Sequence, residues 1–81
     1  MSVRSEILDQ FKQVALEQNM RLGPLTDELP LLDSGLDSLC FAIIVSRLES
    51  VLGVDPFSAN EGAPFPVNLA DFIRFYENAV P

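Results

Sequence analysis

Histidine is absent from this 81-residue chain. The usual base for a serine or cysteine nucleophile is therefore missing, and no Ser-His-Asp or Cys-His set can be assembled. Cysteine occurs once, at Cys40, which excludes an internal disulfide and leaves no Cys/His cluster for zinc. The lone thiol has no cation beside it and lies in an apolar run, so it is expected to stay protonated and pack. The four glycines are never spaced as a phosphate-binding loop. Asp33, Ser34, Asp37 and Glu49 are too few and too irregular for an EF-hand. Cations are scarce: five basic residues, of which only Lys12 is a lysine, stand against twelve acidic ones for a net charge of −7. That balance argues against nucleic acid as a partner, because binding it requires clustered cations. It favours partners with basic surfaces. No apolar run approaches the roughly twenty residues of a membrane span, and the N-terminus lacks the basic-then-apolar form of a signal peptide. With no catalytic set and no membrane signal, the expectation is a non-enzymatic protein of the cytoplasm.

What is present is enough for one small helical domain spanning 1–81. Apolar residues make up 48% of the chain, and the length is near the lower limit for a core without disulfide or metal. The organising stretch is Leu32-Asp33-Ser34-Gly35-Leu36-Asp37-Ser38-Leu39, a turn-forming run that passes directly into a long apolar segment. Gly35 can take the positive φ of a tight turn, and Asp33, Ser34, Asp37 and Ser38 can bond their side chains to nearby backbone N–H groups. Asp37 and Ser38 thus stand at the N-cap and first turn of a helix expected over 38–52. Such an end is electropositive and rich in unpaired N–H groups, a favourable field for a phosphate ester on Ser38.

Around that helix the chain reads as support. A first helix over 2–19 carries Val3, Ile7, Leu8, Phe11, Val14 and Ala15 at the three-and-four spacing of one buried face, with Gly23 and Pro24 as breakers beyond it. Residues 20–37 form a long loop expected to be pinned by Leu22, Leu25, Leu29, Leu31 and Leu32. In the second helix, Phe41, Ile44, Val45, Leu48 and Leu52 make an inward stripe. Leu39, Ala42, Ile43 and Ser46 make a further, mostly apolar face, expected to dock partner enzymes because a domain this small cannot bury a helix on all sides. Gly53 stops it. A short helix is expected over 57–61, and a last one is capped by Asn68, with Leu69, Phe72, Ile73 and Tyr76 inward and Phe75 at the edge.

The run Asp33-Ser34-Gly35-Leu36-Asp37-Ser38-Leu39, opening the central helix of a small acidic domain, resembles the attachment motif of the acyl carrier and peptidyl (aminoacyl) carrier proteins. The resemblance covers nearly the whole chain. It implies an all-α bundle of three longer helices and one short one, monomeric, with 4′-phosphopantetheine carried on Ser38 and Asp37 helping to position it. It implies a phosphopantetheinyl transferase using Mg²⁺ and coenzyme A, an acyl- or aminoacyl-activating ligase or synthetase, and a downstream transferase or synthase as partners. Two departures stand out. Ser34 occupies a place where many family members have leucine, which is expected to loosen the loop's anchorage. Fatty-acid carriers have a strongly acidic second helix, whereas Ile43, Ser46, Glu49 and Ser50 include one acid. A carrier for few partners is expected, and the many phenylalanines suggest a short acyl or aminoacyl cargo. The competing expectation is a carrier-like interaction module docking through the second helix and never modified, with Ser38 acting only as an N-cap.

Overall fold

The computed structural model of the chain describes residues 2–59 and 66–80. Their regular elements are all helical, with no strand among the described residues. The long elements are α1 (Val3–Glu17), α2 (Ser38–Leu52) and α4 (Leu69–Ala79); a 3₁₀ turn spans Leu31–Asp33, and α3 (Pro56–Ala59) is a single turn. No helix among the described residues is long and apolar enough to cross a membrane.

Each long helix starts at a side chain that accepts a bond from an otherwise orphaned N–H. Ser2 Oγ accepts from the Ser5 amide at 3.0 Å, Asp37 Oδ1 from Cys40 at 2.9 Å, and Asn68 Oδ1 from Asp71 at 2.9 Å. α3 begins with Pro56 at its first position, and Asp55 Oδ1 accepts from the Phe57 amide at 3.1 Å. The short helix expected over 57–61 therefore starts one residue earlier; Asn60 and Glu61, like Phe65, lie outside the described residues.

α1 ends close to where the spacing predicts, but not for the reason expected. Gly23 and Pro24 do not stop it, because the stop is already complete at Asn19, in the left-handed region at φ 56°. The Met20 amide donates to the Ala15 carbonyl at 2.8 Å and the Asn19 amide to Leu16 at 3.2 Å, the paired bonds of a Schellman termination. α2 ends as expected, with Gly53 at φ 77° donating to the Glu49 carbonyl at 2.8 Å.

The core lies between the three long helices. Ile7, Phe11 and Val14 of α1, Ile44 and Leu48 of α2, and Leu69, Phe72 and Tyr76 of α4 are fully buried. Phe11 meets Phe41 and Phe72 edge-on at 5.8 and 5.5 Å, and Phe57 extends the cluster to Phe72 at 5.8 Å and Phe75 at 5.6 Å. Edge-on pairs of this kind add about 0.5–1.5 kcal/mol each beyond burial. Gln10 is also buried on α1, a polar residue that three-and-four spacing of apolar residues does not report.

The long loop is sewn to α4. Leu31 donates to the Val67 carbonyl at 2.9 Å, while the Leu69 and Ala70 amides at the start of α4 donate to the Leu29 and Asp27 carbonyls at 3.0 and 3.1 Å. Three orphan donors of α4 are thus satisfied, two by the loop and one by Asn68. Arg4 pairs with Asp27 at 2.8 Å, tying the same loop to α1. Leu29 and Leu31 are buried as expected, and Leu22 and Leu25 are partly so. Leu32 is not a pin: it is 95% exposed, because the 3₁₀ turn that buries Leu31 rotates its neighbour outward.

Candidate functional site

Ser38 is exposed as the first residue of α2, immediately after the N-cap Asp37. The backbone that presents it is held from behind. Ser34 is completely buried; its hydroxyl donates to the Leu31 carbonyl at 2.7 Å and accepts from the Leu36 amide at 3.3 Å, and its carbonyl accepts from Gly23 at 2.9 Å. The expected loosening at Ser34 is therefore reversed. A leucine there could bury apolar area but make none of the side-chain bonds, whereas serine closes the turn with two. Gly35 follows at φ 94°, and a Cβ at that position would lie 2.0 Å from the Arg21 carbonyl oxygen. Only glycine fits both the angle and the approach. Leu36 then turns inward and is buried.

The charges at this helix start are fixed by its backbone. The Asp37 carboxyl is lowered from its ordinary 3.8, chiefly by its bonds with Cys40 at the helix end. Cys40 itself is buried and its thiol is pushed up, first by burial and then by the neighbouring Asp37 carboxylate, so it packs in its protonated form.

Beside Ser38 runs an open groove of roughly 680 Å³, within the range of small-molecule sites. Its walls come from three places. The loop contributes Leu31, Leu32 and Leu36; α2 contributes Ser38, Phe41, Ala42, Val45, Ser46 and Glu49; the segment entering α3 contributes Asp55 and Phe57. Expected and observed site residues overlap in part. Ser38, Asp37, Ala42 and Ser46 line the groove together. Leu39, 60% exposed, stands on the neighbouring flank of α2 and does not line it.

Ile43 corrects the expected docking face. It is half-buried and packs against the core, because a helical step of 100° turns it from Ala42 toward α1. One turn further on, Arg47 forks onto the Glu17 carboxylate at the end of α1. That pair holds the Glu17 carboxyl below its ordinary 4.5.

Sequence reasoning missed Leu32, Glu49, Asp55, and Phe41 and Val45 as groove residues. The signal was present in the spacing: Ser38, Phe41, Ala42, Val45 and Glu49 recur at three and four along one helix face. Phe41 and Val45 are partly buried, so a stripe read as inward also forms a groove wall. Phe57 both lines the groove and packs in the aromatic cluster. The aromatic cluster fills the centre as expected and leaves the open space along its outer edge.

No metal-binding group of three or more His, Cys, Asp or Glu occurs among the described residues. In comparisons with known proteins, no family model matches the chain, and no curated protein or solved structure is similar enough to count as a match.

Proposed function

We propose that this chain is a discrete carrier protein of the acyl or peptidyl (aminoacyl) carrier type, a bundle of three longer helices and one short one that bears 4′-phosphopantetheine on Ser38. The observation that carries the reading is the setting of that serine. Its hydroxyl is on an exposed residue at an electropositive helix start, braced by the Ser34 and Gly35 turn and opening onto an apolar groove. A phosphopantetheinyl transferase, with Mg²⁺ and coenzyme A, would form a phosphodiester between the Ser38 oxygen and pantetheine 4′-phosphate and release adenosine 3′,5′-bisphosphate. Asp37, fixed by the Cys40 amide, sets the position of Ser38 in that complex. The arm's thiol is then acylated by an activating ligase or synthetase and offered to a transferase or synthase, so the carrier supplies effective concentration rather than chemistry. It works as a cytoplasmic monomer, with a short acyl or aminoacyl group as cargo.

The test is intact mass after incubation with coenzyme A, Mg²⁺ and a broad-specificity phosphopantetheinyl transferase. A gain of one phosphopantetheinyl group in the parent and none in Ser38→Ala supports the proposal. The variant is a clean control: the N-cap is Asp37 and not Ser38, so the substitution removes no capping bond. An unlabelled, folded parent beside a labelled known carrier would favour the second reading, an unmodified interaction module, for which the exposed Leu32 and Leu39 on either side of Ser38 are the observation.

A further inference from the structure

Tyr76 carries a polar group that the fold leaves unanswered. The residue is completely buried on α4, its ring 5.3 Å from Phe72 and edge-on to Phe57 at 6.0 Å, and its hydroxyl has no hydrogen-bond partner among the described residues. A buried hydroxyl without a partner forfeits its bonds to water and gains none in return. Phenylalanine would fill the same space without that cost. The hydroxyl stays protonated, its pKa raised first by burial and then by the carboxylates of Asp55 and Glu49. It is therefore a donor that lacks an acceptor. Tyr76 does not line the groove, but residues around it do. Phe57 is a groove wall, and so are the two acids that act on the hydroxyl. Phe57 sits on the four-residue α3, with less helix to hold it than Phe41 or Val45 have on the fifteen-residue α2.

We infer that the groove extends inward past Phe57 to the Tyr76 hydroxyl, and that it takes a neutral apolar ligand bearing a carbonyl, whose oxygen accepts from Tyr76. Burial beside Phe57 and Phe72 penalises a charged acceptor, so a neutral one fits. A ketone or ester carbonyl fits better than an alcohol or a primary amide, because it brings no donor of its own against the apolar walls of Phe41, Val45 and Phe57. Phe57 is then the gate, turning aside as the ligand enters and packing against it afterwards. The site needs nothing on Ser38; resting on the carrier reading, it further implies that acyl groups with a second carbonyl are the cargo this protein retains best.

The experiment titrates the full-length, unmodified protein with acetophenone and ethylbenzene, probes of nearly the same shape that differ in one carbonyl. Backbone amides are followed by ¹H–¹⁵N NMR and the acetophenone carbonyl by a ¹³C label. Tyr76→Phe should weaken acetophenone several-fold and leave ethylbenzene unchanged. Amide shifts should centre on Phe57 and Tyr76, and the bound carbonyl carbon should lie downfield in the parent relative to the variant, because accepting a hydrogen bond deshields it. The variant should melt no lower than the parent, since it loses only an unpaired hydroxyl. Absence of acetophenone binding, an equal effect of the substitution on both probes, shifts centred elsewhere, or one carbonyl position in both proteins would overturn the inference. So would a variant that melts well below the parent, which would mean the hydroxyl is already paired. Because Ser38 is unmodified throughout, failure of phosphopantetheinylation and failure of carbonyl binding are separate results.

Discussion

The two sides of α2 show how one helix can serve opposite ends. Cys40, Ile44 and Leu48 recur every four residues on the side turned into the core, and each is buried. Ser38, Ala42 and Ser46 follow the same four-residue spacing on the other side, with Glu49 three residues beyond, and each is exposed. Between them Phe41 and Val45 belong partly to both. Burial on one side fixes the helix in place, and that fixity positions the other. The difference teaches that apolar character alone does not mark the core here, since the exposed side is also largely uncharged.

The comparison breaks most visibly on the buried side. Leu48→Ala removes a fully buried side chain from the core and should cost about 2–5 kcal/mol of stability in denaturant unfolding. Ser46→Ala on the open side should stay within about 0.5 kcal/mol. Near-equal effects would mean the two sides are not distinct.

Next in size is the turn that holds Ser38. Ser34→Ala leaves the buried Leu36 amide and one bond of the Leu31 carbonyl unsatisfied and should cost roughly 1–3 kcal/mol. It should also slow phosphopantetheinylation, because the serine's mount loosens. A stability loss with unchanged modification kinetics would separate the brace from the site.

The open side is sharpened by charge. Ala42→Glu, on the groove beside Ser38, should slow modification on the order of tenfold by placing a carboxylate in the partner's contact surface while the fold is kept. Ile43→Glu is the poorer probe, since Ile43 packs on the core and its replacement mixes unfolding with docking. Equal modification rates for the parent and Ala42→Glu would remove this face from partner contact.

The smallest expected effect is a pH dependence. The Asp37 carboxyl is lowered in the folded protein, so its stabilisation is present above its ordinary 3.8 and is lost as pH falls through the lower folded value. Asp37→Asn keeps a good cap but has nothing to titrate. Its unfolding midpoint should therefore change less than the parent's between pH 5 and pH 2, as checked by thermal melts across that range.

Much of this was legible in the residues. The bounds of α2, its stop at Gly53, the Asn68 cap and the inward stripe of α4 follow from local rules, because capping and three-and-four spacing act within a turn or two. The failures come from backbone turns that residue type alone does not announce. Ser34 looked like a weakness because its Leu31 and Leu36 bonds exist only once the 3₁₀ turn forms. Leu32 looked like a pin because nothing local says that Leu31 takes the inward place. The end of α1 near residue 19 was legible, but its cause, the left-handed turn at Asn19, was not, because Gly23 and Pro24 are the stronger breakers by residue type. Of the site, Ser38 and Asp37 were read from the motif, and Ala42 and Ser46 from the helix wheel. Glu49 and Asp55 as groove residues were not, since the groove takes its walls from α2, the loop before it and the segment entering α3.

The central claim is tested most directly by the intact mass of the protein after treatment with coenzyme A, Mg²⁺ and phosphopantetheinyl transferase, with Ser38→Ala alongside. The account predicts one phosphopantetheinyl addition to the parent, none to the variant, and closely similar melting curves for the two. A folded parent that stays unmodified by both a broad-specificity transferase and its host's own, while a known carrier is labelled in the same reaction, would contradict it.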